Sequence, residues 1–230
     1  QGLKPASLFW LSSFIGASYT PGKRARPAQG RHEMSDTSPQ TSLTEMRELI
    51  AGMPGPNARA KAIAAEREGQ LTKPQGALGR LEELSLWYAS WQANDAPKLE
   101  RPRVAVFAGN HGIAAQGVSA FPAEVTVQMV ANFQAGGAAV NQLCKVHDAE
   151  LRVYEMALES PTNDFTRAPA MSDEECATAM AYGMMAVEDG IDILCIGEMG
   201  IGNTTIAAAI CHGLYGALFI AGLACKPNLA

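Results

Sequence analysis

The stretch IDILCIGEMGIGNTTIAAAI, residues 191–210, decides the fold. A mostly apolar run, IDILCIG, passes through Gly197, Gly200 and Gly202 into the alanine-rich run IAAAI. A short apolar run ending in glycine reads as a buried parallel strand, and the alanine-rich run reads as a helix. The turn between them places a helix N-terminus at the carboxyl edge of a sheet. Free backbone N–H groups and the helix dipole there suit a phosphate. Gly200 and Gly202, with Ile201 between them, let a ligand approach the backbone, and Asn203, Thr204 and Thr205 add side-chain donors. The same residues also fit a plain strand–helix turn capped by Asn203, and the stretch by itself leaves both readings open. No GKS or GKT comes after it, so this is not a Walker A loop, and the third glycine of a dinucleotide fingerprint is missing.

Outward from this corner, strands and helices alternate. RVAVFAGN, from Arg103, reads as a first strand, and Pro122 stands at the first turn of a helix through PAEVTVQMVANFQ. AGGAAVNQLCKVH gives another helix and AELRVYEMAL a second strand. Ser172 and Glu175 have the spacing of a capping box ahead of the next helix, which leads into the third strand, IDILCIG. Alternation of this kind predicts an α/β body, a Rossmann-like parallel sheet with flanking helices, incomplete at three strands. Ahead of it lies a small helical unit: TSLTEMRELIAGM, a segment capped by Asn57, and a segment from about Gly79 to Gln92. The expected organisation is an N-terminal extension over 1–40, read as disordered, and a helical unit over 41–100. The α/β body comes next over 101–216, with a tail over 217–230.

The net charge of −5 is unevenly distributed. Residues 1–32 carry five basic side chains and no acid, leaving 13 basic against 23 acidic in the remainder. An acidic body lacks the basic face on which nucleic-acid binding depends, so no nucleic-acid partner is expected. Five cysteines without a CxxC pair indicate a reduced, cytoplasmic compartment. The four histidines have no ligand spacing, so no metal is expected. Neither the apolar run Leu8 to Ile15 nor LYGALFIAGLAC is long enough to span a bilayer, so no membrane partner is expected.

A second constellation, AGNHGIAAQGVSAFPAEV over 108–125, falls at the exit of the first strand, the edge where open α/β sheets collect ligands. Asn110 and His111 offer polar groups. Phe121, Pro122, Val125 and Met129 offer an apolar wall for a flat ring. Taken as a lone loop histidine, His111 also fits a purely structural role. Glu198 is the sole acid inside the glycine corner; beside a phosphate it would face a sugar hydroxyl or a cationic ring, or else it is a solvated turn residue.

Three long segments in order, LTKPQGALGRLEEL (71–84), FAGNHGIAAQGVSAFPAEVTVQMVANFQAGGAAVNQL (107–143) and CIGEMGIGNTTIAAAI (195–210), closely resemble the nicotinate-nucleotide–dimethylbenzimidazole phosphoribosyltransferases of cobalamin biosynthesis. The resemblance runs from about residue 45 to Gly216. It implies transfer of the 5-phosphoribosyl group of nicotinate mononucleotide to 5,6-dimethylbenzimidazole, with inversion at the anomeric carbon. The products are α-ribazole 5'-phosphate and nicotinate. It implies no metal or organic cofactor, and a homodimer with its site near the subunit interface.

Position by position, Gly200, Ile201, Gly202, Asn203, Thr204 and Thr205 resemble the phosphoribosyl cradle, and Glu198 an acid beside it. Phe121, Pro122, Val125 and Met129 fall on the segment lining the benzimidazole pocket. Asn110 stands where many members carry Asp before His-Gly, and Lys73 and Arg80 belong to a signature near the site. The family's general base, a glutamate in a His-x-Ser-x-Glu-type segment, has no counterpart here, and resemblance fades after GLYG. The expectation is therefore a transferase by family whose 230-residue chain is inactive. Its rivals are a nucleotide-binding module without catalysis and a fragment unable to fold.

Overall fold

The computed structural model describes residues 42–216 and the backbone of a two-residue strand at 32–33. Three helices come first: α1 (Leu43–Ala51), α2 (Ala58–Gly69) and α3 (Arg80–Trp91). Local chemistry sets two of their starts. Ser42 Oγ accepts the N–H of Glu45 while the Glu45 carboxylate accepts the N–H of Ser42, satisfying two donors that a helix start leaves open. Asn57 Oδ1 accepts the N–H of Ala60 in the same way.

The body continues as β2 (Pro102–Ala108), a 3₁₀ turn (Gly112–Gln116), α4 (Glu124–Ala135), α5 (Ala139–Val146), β3 (Glu150–Glu155), α6 (Asp173–Met184), β4 (Ile193–Met199) and α7 (Asn203–Tyr215). With β1 (His32–Glu33) these strands form one parallel sheet in the order β1-β3-β2-β4. The α/β class, the parallel sheet, the flanking helices and the leading helical unit are thus as the sequence predicts. One difference concerns β1. His32 and Glu33 pair with Tyr154 and Glu155 of β3, although the sequence pattern assigns them to the extension. The tail at 217–230 and the rest of that extension lie outside the described residues.

The two faces of β2 explain the packing. Val106 and Ala108 point to the side covered by Val130 and Phe133 of α4 and by Ala138 at the start of α5. Ala105 and Phe107 point to the other side, where Tyr154, Tyr182 and Ala186 bury them; the Phe107 ring stacks on Tyr154 at 5.0 Å. The connection from β2 to β3 therefore crosses one face and that from β3 to β4 the opposite face. Right-handed crossovers demand this when the chain first steps to one side of β2 and then to the other. The strand order thus reverses at β2, which makes the carboxyl ends of β2 and β4 the place where such sheets open a ligand crevice. On its far side β4 has no strand neighbour among the described residues, and Ile196 is 76% exposed.

At the opposite, amino end of the strands, Arg103 is 1% exposed. Its guanidinium donates to Glu150 Oε2 at 2.8 Å, to the carbonyl of Ala186 at 3.1 Å and to Glu188 Oε2 at 2.9 Å. Arg152 closes the ring by pairing with both carboxylates. The helical unit is latched nearby: Asp192 Oδ2 accepts the N–H groups of Glu100 and Arg101, and Gln92 donates to the Asp192 carbonyl.

Candidate functional site

The strand-to-helix corner is tighter than sequence alone requires. A Cβ on Gly200 would be driven into Asn203 Oδ1 and the carbonyl oxygen of Gly109, so only glycine fits there. Gly202 holds φ 93°, a left-handed conformation that other residues rarely adopt, and it is the N-cap of α7. Asn203 is accordingly the first residue of the helix and not its cap. Its side chain turns toward the neighbouring loop, where His111 Nε2 lies 2.5 Å from Asn203 Oδ1. Donation from Nε2 leaves the Asn203 amide N–H groups directed elsewhere. The two constellations read separately from the sequence are therefore one site.

A second link joins α4 to the corner. Thr126 is 0% exposed, and its Oγ1 accepts the backbone N–H of Ile201 at 3.2 Å. The N–H groups of Asn203 and Thr205 bond to the carbonyls of Gly200 and Gly202. Those of Gly200, Gly202 and Thr204 have no acceptor among the described residues. The corner thus fixes every second N–H and leaves the intervening ones uncommitted, at a helix N-terminus whose dipole favours negative charge.

The loop side of the crevice is built around Asn110. Its Nδ2 donates to the carbonyl of Leu158 at 3.0 Å, while Oδ1 is buried without a hydrogen-bond partner among the described residues. Thr162 donates its N–H to the Asn110 carbonyl and accepts from Gly112 N–H at 2.8 Å; its Oγ1 is also buried and unpartnered among the described residues. A Cβ on Gly112 would strike the Thr162 carbonyl, so the segment after β3 lies hard against the His-Gly turn. Gln116 Nε2 donates to Asp164 Oδ2 at 2.7 Å. That bond, with those from Thr166, holds the Asp164 carboxyl below its usual range. Thr126, Thr162, Gln116 and Asp164 are not singled out by any pattern in the sequence. The partners that tie them to the crevice lie 48 to 75 residues away in the chain, beyond any local signal.

The other expected site residues spread differently. Phe121 is 64% exposed and Pro122 is exposed, just ahead of α4. Val125 and Met129, one turn apart, are half-buried, and Met129 packs against the Val106, Phe133 and Ala138 cluster, so part of the proposed wall belongs to the core. Glu198 lies within β4, paired in register with Phe107 and exposed; it is a strand residue and not a turn residue. Lys73 is held by Glu68 and Glu82 at 2.5 and 2.6 Å inside the helical unit, and Arg80 pairs with Glu83 on an exposed face. Neither makes a hydrogen bond or ion pair to the glycine corner among the described residues.

A Rossmann-like sheet with an uncommitted helix N-terminus at its switch point is an architecture shared by many proteins that bind phosphorylated nucleotides or sugars. Comparison with known proteins narrows this class: residues 53–221 match the phosphoribosyltransferase family, and the chain belongs to that family. It is 61% identical over 179 residues to a nicotinate-nucleotide–dimethylbenzimidazole phosphoribosyltransferase of Cereibacter sphaeroides, covering 78% of this chain and 53% of that protein. It is 59% identical over 172 residues to the protein of the same name from Rhizobium meliloti, covering 75% and 51%. The chain spans about half the length of these relatives. A crystal structure of the Thermus thermophilus protein of that name superposes with a TM-score of 0.65 at 40% identity, covering 70% of this chain and 54% of that one. No helix among the described residues is long and apolar enough to cross a membrane.

Proposed function

We propose that these residues form the phosphoribosyl-binding half of a nicotinate-nucleotide–dimethylbenzimidazole phosphoribosyltransferase site. The observation that supports this best is the alternation of committed and uncommitted N–H groups from Gly200 to Thr205. Uncommitted N–H donors at a helix N-terminus suit the 5'-phosphate of nicotinate mononucleotide. The exposed Phe121 and the Val125 side of α4 then serve 5,6-dimethylbenzimidazole. Attack by a ring nitrogen on the anomeric carbon releases nicotinate with its bonding electron pair, and the proton of the attacking ring passes to a base. Glu198, exposed near the end of β4, is assigned to the sugar and not to that base. On the same reading the assembly is a homodimer, the compartment is the cytoplasm, and neither metal nor organic cofactor takes part.

The test is calorimetric titration of the purified 230-residue chain with nicotinate mononucleotide, with inorganic phosphate as competitor. Saturable binding that phosphate weakens is the expected result; absence of binding overturns the reading. Adding 5,6-dimethylbenzimidazole then asks about turnover. Steady nicotinate release places the general base within these residues, and binding without release places it outside them. Sedimentation of the same sample checks the dimer.

A further inference from the structure

We propose that Thr126 is a positioning residue for the phosphate-binding corner. The inference deepens the function proposed above and rests on it. Thr126 sits one residue beyond Val125 on α4, yet its side chain is turned inward, fully buried, with Oγ1 on the N–H of Ile201. That N–H belongs to the peptide between Gly200 and Ile201. Two glycines flank Ile201, and glycine leaves its backbone the widest conformational choice. Without an external partner the turn has many ways to present its N–H groups. Thr126 removes that freedom at its centre: holding one peptide plane decides which way the N–H groups of Gly200 and Gly202 face. A hydroxyl on a packed helix is suited to this because α4 is itself held by Val130 and Phe133 against Val106 and Ala108. The same residue couples the two halves of the proposed crevice, since α4 carries Val125 on the ring side while Thr126 reaches the phosphate side.

The experiment compares the 230-residue chain with Thr126→Val, Thr126→Ser and Thr126→Cys. Valine keeps the shape and removes the acceptor; serine keeps the acceptor; the cysteine sulfur is a weak acceptor of similar size. Amide resonances and hydrogen exchange are read by NMR, and affinity for nicotinate mononucleotide by calorimetry. In Thr126→Val the Ile201 amide is expected to lose protection, the Gly200 and Gly202 amide signals to shift, and affinity to fall about tenfold, the scale of one buried donor left unpaired. Serine is expected to restore affinity to within about threefold of the parent, with cysteine between.

A merely structural role predicts something else: lower stability with unchanged glycine signals and unchanged affinity. That result, or serine behaving like valine, overturns the assignment. Where the valine variant does not fold, the serine–cysteine pair decides, since equal affinities in the two are incompatible with an acceptor role. If the parent chain itself binds no nicotinate mononucleotide, the functional reading falls. The Thr126 assignment is then judged on the Gly200 and Gly202 resonances of the free variants, and their failure to move sinks it independently.

Discussion

The two ends of the parallel sheet use polar groups in opposite ways. At the amino end, Arg103 and Arg152 face Glu150 and Glu188, the Ala186 carbonyl takes a further guanidinium N–H, and Asp192 absorbs two backbone donors. Opposite charges meet there and cancel. At the carboxyl end, the N–H groups of Gly200, Gly202 and Thr204 and the side-chain oxygens Asn110 Oδ1 and Thr162 Oγ1 are left without partners among the described residues. Saturated polar groups stabilise the fold, whereas unsatisfied ones cost stability unless a ligand or water completes them. The amino end therefore reads as the anchor of the body, and on the function proposed above the carboxyl end is its working edge. Substitutions at the two ends should separate folding from binding.

Arg103→Met tests the anchor and carries the largest expected effect. It leaves Glu150 and Glu188 sharing a half-buried position with only Arg152 to neutralise them. Removing one partner of a buried ion pair costs about 3–5 kcal/mol, and the partial exposure of both carboxylates argues for the lower figure. Urea denaturation is expected to show a loss of about 3 kcal/mol, a large share of a typical domain's stability. A loss below about 1 kcal/mol would remove the distinction between the two ends.

Gly200→Ala tests the working edge. The added methyl group meets the Gly109 carbonyl and Asn203 Oδ1, so the corner must open. Overpacking of this kind costs about 1–3 kcal/mol. Because the distortion falls on the donors themselves, nicotinate mononucleotide affinity is expected to drop at least about tenfold while the Arg103 cluster remains protected from hydrogen exchange. Asn203→Ala is milder. It deprives His111 Nε2 of its partner and removes one amide donor, so affinity is expected to fall about fivefold, the scale of one ordinary hydrogen bond. Equal stability loss and no affinity change in both variants would show that the corner is only a turn.

The unequal treatment of the two ends also explains what the sequence makes legible. Ser42 with Glu45, Ser172 with Glu175 and Asn57 with Ala60 act over three residues, and each has capping geometry, the last two as the sequence reading expects. The apolar runs in β2, β3 and β4 are equally local signals, and they suffice for the class of fold. The His111–Asn203 contact spans 92 residues and the Thr126–Ile201 bond 75, so each partner looks ordinary in its own segment. Asn203 resembles a cap because asparagine often is one. In the fold a left-handed glycine takes that place, and the amide is free to meet the histidine. Lys73 has the charge expected of an anion ligand, but two acids within nine residues claim it first. β1 offers no pattern, since two residues are too short for any alternation to show.

Acid titration draws the finest line between the ends. At Glu188, burial pushes the carboxyl up, but hydrogen bonding and charge from Arg103, then from Arg152, outweigh it and hold the group below its usual value of 4.5. A carboxylate whose folded value is depressed contributes stability that is fully present above its unfolded value. That contribution is lost as pH falls through the lower folded value. The urea midpoint of the parent chain is therefore expected to hold steady at neutral pH and decline below about pH 4.5. The decline should be shallow, because Glu188 is partly exposed and solvent screens the pair. Glu188→Gln has no carboxylate to protonate there, so its midpoint starts lower and falls less over the same range. Identical acid profiles for the two proteins would mean that other carboxylates, Asp164 at the working edge among them, carry the acid sensitivity.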